Sequence, residues 1–245
     1  MLEIIDLNAS YGKKQVLFNI NALIEKGKFT AVIGRNGSGK SSLLASIASI
    51  KSFSGRILLE KRDISEFSSR ERAKKLSYLP QSLPTTQLTV FETVAFGREP
   101  YTSFKLTEAD VEIIERAIEK CGISSLKGKR IGEISGGERQ TAYLAMMLAQ
   151  DADIMLLDEP TTYMDAPNAR EFMRILCDER DRGRTVVAVM HDLTQALKNA
   201  DSIIFLDGGR IVFAGSKEDC LRKGIIEEVM HVEAHKLIDG STVFI

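Results

Sequence analysis

The stretch Gly34-Arg35-Asn36-Gly37-Ser38-Gly39-Lys40-Ser41 decides the fold of this 245-residue chain. It has the spacing Gly, four residues, Gly, Lys, Ser, and lies between an apolar run and a helical run at 41–50. Glycines let backbone N–H groups approach a polyphosphate, the lysine neutralises its charge, and the serine hydroxyl can ligate Mg²⁺. A plain glycine-rich turn capping a helix is the alternative. The strand, loop and helix order favours a phosphate-binding loop in an α/β protein.

Short β-branched runs alternate with longer helical patterns along the chain, which predicts an α/β protein with a mainly parallel sheet. The sequence Asp207-Gly208-Gly209 predicts a turn that joins the last two strands as a hairpin. The predicted strands are Phe29 to Ile33, Asp153 to Leu157, Thr185 to Val189, Ser202 to Leu206 and Arg210 to Ala214.

The pattern between Leu83 and Gln150 is predominantly helical and predicts an inserted helical lobe. Thr107-Glu108-Ala109-Asp110 is a capping box that begins one of its helices, and Gly122 ends that helix. We expect Val111, Ile114 and Ile118 to share the buried face. No flexible linker separates the lobes, so we expect them to be packed rather than tethered.

Composition narrows the class of protein. The 33 Lys and Arg against 34 Asp and Glu disfavour a basic nucleic-acid binder. The longest nearly uncharged stretch, Thr141 to Gln150, is half of the roughly 20 residues that span a bilayer. The first ten residues lack a secretory signal, and three dispersed cysteines fit free thiols in a reducing compartment. We therefore expect a cytosolic globular protein.

A pair of carboxylates follows the predicted strand at 153–157. Asp158 and Glu159 would emerge at the carboxyl end of that strand, where ligands bind in open α/β sheets. Alone, such a pair is usually a solvated loop. In a chain with a phosphate loop, we interpret Asp158 as a holder of Mg²⁺ and Glu159 as the group that orients the attacking water.

The segment Ser135-Gly136-Gly137-Glu138 makes the interpretation specific. It is a capping box for a helix that continues through Ala149, and its glycines and hydroxyl also suit an anion at the helix N-terminus. It lies 135 − 40 = 95 positions after Lys40, with the helical insertion between them. This order resembles the ATP-binding subunits of ABC transporters, and the resemblance covers nearly the whole chain.

The resemblance implies a P-loop NTPase core of the RecA-like type, with a mainly parallel sheet, an N-terminal antiparallel β region and an inserted α-helical subdomain. It implies one ABC ATP-binding domain, whose core is 1–83 and 151–245 and whose helical subdomain is 84–150. Tyr11 is placed like the aromatic residue that stacks on adenine in that family. The implied nucleotide-binding residues are Tyr11, Gly34, Asn36, Gly37, Ser38, Gly39, Lys40, Ser41, Ser42, Ser135 and Gly137.

The resemblance also implies catalytic roles and partners. Catalysis would rest on Lys40, Gln81, Glu159 and His191, and Mg²⁺ would be held by Ser41, Gln81 and Asp158. Two copies would dimerise head to tail, so that the phosphate loop of one and Ser135 of the other sandwich each ATP. Permease subunits would hold the dimer at the inner face of the cell membrane and link it indirectly to a substrate-binding protein. No nucleic acid is implied.

The segment Leu88 to Tyr101 looks like the corresponding part of importers of ferric siderophores, haem and cobalamin. The alternative is a soluble ABC ATPase such as an iron–sulfur-cluster assembly factor. The chain departs from the family pattern at Ile134 and Glu138, at Thr141 where arginine is usual, and at Tyr163-Met164 in the dimer loop that ends at Asp165. We expect Thr141 to weaken contacts around the signature helix, and the bulky loop to alter communication between the two ATP sites.

Three further features leave alternatives open. His231 and His235 have helical metal-chelating spacing, but an ordinary amphipathic helix is the stronger interpretation. The charged run Lys61 to Lys75 predicts a solvated helix face. Arg98 would either form part of a permease groove or cap the helix that precedes it.

Overall fold

The computed structural model describes residues 1–102, 105–230, 234–236 and 242–244. Its strands are β1 Leu2–Tyr11, β2 Lys14–Ile24, β3 Phe29–Gly34, β4 Phe53–Leu59, β5 Arg62–Asp63, β6 Leu76–Leu79, β7 Ile154–Asp158, β8 Thr185–Val189, β9 Ser202–Asp207, β10 Arg210–Ser216, β11 Ala234–Lys236 and β12 Thr242–Phe244. Its helices are α1 Lys40–Ile47, α2 Ser69–Lys75, α3 Val90–Ala95, α4 Glu108–Lys120, α5 Gly136–Gln150, α6 Ala166–Asp181, α7 Leu193–Asn199, α8 Lys217–Arg222 and α9 Ile225–Met230.

The chain forms two compact units. One comprises Met1–Glu66 and Thr185–Ile245, and the other comprises Phe67–Arg184. These limits differ from the predicted core and helical subdomain, because the second unit holds β6, β7, α2 and α6 as well as the helices of the predicted lobe. The boundaries 84–150 of the helical subdomain stay a prediction.

The first unit contains an antiparallel sheet in the order β2-β1-β4-β5. Leu2 of β1 faces Ile24 of β2 on one side and Leu59 of β4 on the other. Alternate residues Leu2 and Ile4 are buried, as in a sheet with one face on the core. The predicted N-terminal antiparallel region is therefore confirmed.

The same unit contains the strand order β10-β9-β3-β8. β3 runs parallel to both β8 and β9, and all six of its residues are buried. A parallel strand covered on both faces is expected to be apolar along its whole length. The antiparallel pair β9 and β10 is the predicted hairpin, with Arg210 opposite Asp207. The predicted strands in this unit are confirmed to within two residues at their ends.

Helix α1 is shorter than its sequence predicts. The helical run was expected to reach Ile50, but α1 ends at Ile47. Ser49 adopts a left-handed φ of 57°, which turns the chain out of the helix. The segment that follows is held by hydrogen bonds from the Ile50 and Lys51 amides to the Ala45 carbonyl.

The second unit pairs β6 and β7 in parallel, with Leu79 opposite Leu157. Helices α3, α4 and α5 pack together in this unit. Helix α2 contains no buried residue, which confirms a solvated helix face for the later part of the charged run. The earlier part differs from the prediction, because residues 62–66 form β5 and a 3-10 turn in which Ile64 is buried. Among the described residues, the helices lack a span with the length and apolarity needed to cross a bilayer.

Helix α4 begins and ends as its sequence predicts, with the Thr107 capping box in place and a left-handed Gly122 after it. The buried face of α4 differs by one position from the face that the sequence predicts. Ile114 and Ile118 are buried, but Val111 is 37% exposed and Asp110 is buried instead. The prediction for Val111 was wrong because an interior cation draws its neighbour Asp110 into the core.

Candidate functional site

Three glycines shape the loop between β3 and α1. Gly34, Gly37 and Gly39 have φ values of 147°, 78° and 101°, in the region that favours glycine. A Cβ on Gly34 would lie 2.0 Å from the Leu206 carbonyl oxygen, and one on Gly39 would lie 2.7 Å from Leu17 Cδ2. The loop can follow this path only because these positions lack side chains.

Lys40 points into the loop that precedes it. Its side chain is buried, and its ammonium donates hydrogen bonds to the carbonyl oxygens of Gly34 at 2.9 Å and Arg35 at 3.0 Å. Ser38 Oγ is also buried and has no hydrogen-bond partner. A buried hydroxyl without a hydrogen-bond partner lowers the stability of the fold by about 1 to 3 kcal/mol. A ligand that accepts a hydrogen bond from this hydroxyl would remove that penalty. A phosphate oxygen fits this combination of a cation and an unused donor.

The remaining predicted residues of this loop lie where the sequence places them. Asn36 is exposed on the loop, Ser41 is half-buried in the first turn of α1, and Ser42 is buried beside it. The Gly209 amide donates to the Ser38 carbonyl at 3.1 Å, which ties the loop to the β9–β10 turn. The structure therefore brings the predicted phosphate-loop residues together in one unit.

His191 lies at the same sheet edge as the phosphate loop. β3 and β8 are parallel with Val32 opposite Val189, and the Met190 amide donates to the Val32 carbonyl at 3.1 Å. The next residue, His191, is exposed. The carboxyl ends of parallel neighbours meet at one edge, so this side chain lies at the end of the sheet that carries the loop. Asp192 follows and caps α7 by accepting from the Gln195 amide at 3.0 Å.

Tyr11 ends β1 and is 61% exposed. The Lys51 ammonium lies 2.8 Å from the centroid of its ring and donates to the Ser10 carbonyl at 3.0 Å. The predicted base-stacking residue is thus an exposed ring with a cation on one face. Sequence reasoning did not identify Lys51, because no motif marks it.

Gln81 and Glu159 meet in the second unit. Parallel β6 and β7 bring their carboxyl ends to one edge, and Gln81 Nε2 donates to Glu159 Oε2 at 2.6 Å. Asp158, the last residue of β7, is buried. Three side chains predicted to act in catalysis or metal binding therefore lie together at this edge.

The backbone of Glu159 is strained. Its φ is 51°, which a residue with a side chain rarely adopts, and such conformations cluster at functional sites. The Thr162 hydroxyl donates to the Glu159 carbonyl at 3.1 Å and holds the turn. Thr162 supports the site in a way that the sequence pattern did not predict.

The donor set suits a hard divalent cation. A serine hydroxyl, a carboxylate and an amide oxygen are oxygen ligands, which Mg²⁺ prefers together with phosphate oxygens. Ser41, Asp158 and Gln81 supply these groups. Among the described residues no group of three or more His, Cys, Asp or Glu forms a metal site of its own. The three predicted ligands therefore have the chemistry that Mg²⁺ prefers, and their assembly into one metal site stays a prediction.

Ser135 begins α5 as predicted. Its amide donates to Glu138 Oε2 at 2.8 Å and its hydroxyl accepts from the Glu138 amide at 3.3 Å. The hydrogen bonds from the Ser135 amide and hydroxyl hold the pKa of Glu138 below its ordinary value. The capping box is confirmed, and the exposed N-terminus of α5 remains the predicted anion site.

The dimer loop packs against this N-terminus. A Cβ on Gly136 would lie 3.3 Å from Tyr163 Cβ, and one on Gly137 would lie 3.4 Å from the Tyr163 carbonyl oxygen. Tyr163 is itself 60% exposed. Asp165 caps α6 by accepting from the Asn168 amide at 2.9 Å. The bulky residues of this loop therefore contact the signature glycines of the same chain.

Thr141 and Arg98 have structural roles in the second unit. The Thr141 hydroxyl donates to the Gly137 carbonyl within α5 at 3.0 Å. Arg98 is buried, and it donates to Asp110 Oδ1 at 2.9 Å and to the Ala149 carbonyl at 2.8 Å. Burial excludes Arg98 from an open permease groove. It does cap a helix, but that helix is α5 rather than the preceding one.

The C-terminal histidine pair lies partly outside the described residues. His231 belongs to the part that the structure does not describe, so the metal interpretation stays untested. His235 lies in β11, which pairs with β12 and places His235 opposite Val243. The alternative of a helix through His235 was wrong.

Comparison with known proteins gives concordant results. The ABC transporter family model matches residues 17–162. The petrobactin import ATP-binding protein YclP of Bacillus subtilis is 38% identical over 94% of this chain and 92% of its own length. The iron(3+)-hydroxamate import protein FhuC of the same species is 34% identical over 96% and 90%. The ferric enterobactin transport protein FepC of Escherichia coli is 37% identical over 91% and 84%.

Solved structures agree on the fold. The dimeric structure of MJ0796, an ABC transporter cassette, has a TM-score of 0.82 at 23% identity and covers 89% of this chain and 99% of its own. A nucleotide-free ATP-binding cassette has a TM-score of 0.83 at 22% identity and covers 94% and 97%. The fold and the phosphate loop define a P-loop ATPase. The chain belongs to the ABC transporter family, as an ATP-binding subunit whose ATPase activity is coupled to transport.

Proposed function

We propose that this chain hydrolyses ATP to drive an importer of ferric siderophores, or of the related cargoes haem or cobalamin. Three relatives at 34–38% identity, each aligned over more than 90% of this chain, are named for siderophore import or transport. The segment Leu88 to Tyr101 also resembles the importers of this branch.

One observation carries the nucleotide-binding role. The Lys40 ammonium is held by carbonyl oxygens of a loop with three left-handed glycines, and the same loop contains the orphaned Ser38 hydroxyl. A loop that holds a buried cation and an unused hydroxyl donor offers complementary groups to a phosphate. We assign the phosphates of ATP to 34–42 and the adenine to Tyr11.

The other predicted residues have separate roles in ATP hydrolysis and Mg²⁺ binding. Glu159 orients the attacking water, Gln81 positions the Glu159 carboxylate, and His191 contacts the γ-phosphate. Ser41, Asp158 and Gln81 would hold Mg²⁺, which when bound neutralises charge on the phosphate oxygens. In phosphoryl transfer the protein contributes mainly by such positioning and charge stabilisation.

A second copy completes the site. Ser135 and Gly137 present donors at the exposed N-terminus of α5, a helix long enough to carry a useful dipole. We propose that this N-terminus binds the ATP held by the phosphate loop of a second copy. ATP would then join the two chains through charge-assisted hydrogen bonds, and hydrolysis would release them.

The partners follow from the proposed activity. Permease subunits would bind the dimer at the inner face of the membrane, and a substrate-binding protein would deliver cargo to them. Uptake of ⁵⁵Fe-labelled ferric siderophores by cells tests this assignment. Replacing the chain by its Glu159→Gln variant should abolish uptake of one siderophore class while glucose uptake is unchanged. Normal uptake of every siderophore, of haem and of cobalamin would reject the importer assignment and favour an ATPase with other partners, such as an iron–sulfur-cluster assembly factor.

A further inference from the structure

The contact between Lys51 and Tyr11 lies outside every motif that identified the site. Lys51 Nζ is 2.8 Å from the ring centroid, inside the limit of roughly 6 Å for a cation–π contact. The same ammonium donates to the Ser10 carbonyl at 3.0 Å. Two interactions from one group therefore fix both the ring and the backbone beside it.

Lys51 is itself rigidly attached to the phosphate loop. It follows α1, whose first residue is Lys40, and its amide bonds to the Ala45 carbonyl of that helix at 3.1 Å. Helix α1 thus carries the phosphate-binding lysine at one end and the ring-binding lysine just beyond the other. Lys51 links the Tyr11 ring to the element that holds the phosphates.

The geometry leaves a surface for the base. Tyr11 remains 61% exposed although an ammonium lies on one face of its ring, so the exposed area includes the opposite face. The next residue, Gly12, has a left-handed φ of 56°, and a Cβ there would meet nothing within 4 Å. The ring projects from the β1–β2 turn into open space, where it would rotate freely without a restraint.

We propose that Lys51 is a positioning residue for adenine: it holds Tyr11 by one face so that the base stacks on the other. This inference rests on the proposed adenine role of Tyr11. The cation also draws electron density toward its own face, which leaves the opposite face better suited to an electron-rich purine. Lys51 thereby raises affinity for the base without touching the nucleotide phosphates.

Binding of ATP and of tripolyphosphate, which lacks a base, to the full chain tests the proposal by calorimetry. Lys51→Met keeps most of the aliphatic stem and removes the charge. We expect it to raise the Kd for ATP about two- to fivefold, as an exposed cation–π contact predicts, and to leave the Kd for tripolyphosphate unchanged. Lys51→Arg should keep the ATP affinity of the wild type, because guanidinium also binds aromatic faces.

Two further variants separate the possible failures. In a Tyr11→Ala background, Lys51→Met should have no additional effect on ATP binding. Because the chain has no tryptophan, Tyr11→Trp supplies a single tryptophan, whose selectively excited emission should change with ATP and not with tripolyphosphate.

Tighter or unchanged ATP binding in Lys51→Met would overturn the proposal. An equal rise in the Kd for tripolyphosphate would also overturn it, because Lys51 would then act on the phosphates. Unchanged ATP affinity in Tyr11→Ala would instead overturn the adenine role of Tyr11, and the positioning role of Lys51 would fall with it.

Discussion

Gln81 Nε2 lies 2.6 Å from Glu159 Oε2, across the carboxyl ends of two parallel strands. Gln81 lies two residues after the end of β6, and Glu159 has a backbone φ of 51°. A strained residue with an oriented side chain indicates a position fixed for function rather than for stability. The proposed role of Glu159 in hydrolysis depends on this arrangement.

Replacing Glu159 by glutamine should separate binding from hydrolysis. The amide keeps the size of the side chain but cannot polarise water, so we expect kcat to fall about 10²- to 10⁴-fold. ATP affinity should change less than threefold, and light scattering after gel filtration should detect an ATP-dependent dimer. Asp153→Asn, beside the opposite end of β7, is the matched control and should retain wild-type hydrolysis. A Glu159→Gln variant that hydrolyses ATP normally would remove Glu159 from the mechanism.

Replacing Lys40 by alanine should weaken nucleotide binding itself. The variant removes a buried cation from the phosphate loop, and hydrogen bonds to charged groups contribute about 1.5 to 3 kcal/mol. We expect the Kd for ATP to rise about ten- to a hundredfold in calorimetry. Lys26→Ala is the control, since Lys26 is exposed and pairs at 3.9 Å with Glu60. Equal ATP affinity in Lys40→Ala and Lys26→Ala would contradict the assignment of the ATP phosphates to the loop that contains Lys40.

Two glycines with similar backbone angles should respond differently to alanine. Gly39 and Gly183 have φ values of 101° and 94°, but only Gly39 has neighbours near the added Cβ, at Leu17 and Val16. Gly183→Ala should cost about 1 to 2 kcal/mol of stability from backbone strain alone and keep ATP binding. Gly39→Ala should cost more in urea unfolding and should also abolish ATP binding. Comparable losses in both variants would show that the loop is not closely packed.

The buried pair of Arg98 and Asp110 should make stability depend on pH. Hydrogen bonds from the Thr107 side chain and backbone, and then from Arg98, lower the pKa of Asp110 from 3.8 to about 2. Because the folded pKa is depressed, the stabilisation is present above about pH 4 and is lost as pH falls toward 2. It amounts to about 2 kcal/mol at neutral pH.

Asp110→Asn tests this pair in urea unfolding at a series of pH values. At pH 7 the variant should lose about 3 to 5 kcal/mol, because the Arg98 charge stays buried without its partner. Its difference from the wild type should shrink between pH 4 and pH 2. Glu112→Gln, which breaks the exposed 3.5 Å pair with Arg116 on the same helix, should change stability by less than about 0.5 kcal/mol.

Local patterns predicted the elements well, because each depends on neighbouring residues. The short apolar run Phe29 to Ile33 predicted a strand, and the Thr107 and Ser135 capping boxes predicted the starts of α4 and α5. The phosphate loop was complete in the sequence, and the structure adds the direction of the Lys40 side chain.

Contacts between distant residues were not predictable in this way. Asp110 is buried in place of Val111 because Arg98, twelve positions earlier, occupies the interior. Lys51 reaches Tyr11 across forty positions, and the strain of Glu159 has no sequence signature. Charge pairing and backbone strain depend on the three-dimensional arrangement, so only the structure reveals them.

The central claim is that ATP hydrolysis by this chain drives ferric-siderophore import. The most direct measurement is ATPase activity of the chain assembled with its permease in proteoliposomes, with binding protein and one cargo added at a time. The claim predicts that a ferric siderophore stimulates hydrolysis in the wild type and not in Glu159→Gln. Hydrolysis that no siderophore, haem or cobalamin stimulates, in an assembly that binds its cargo, would contradict it.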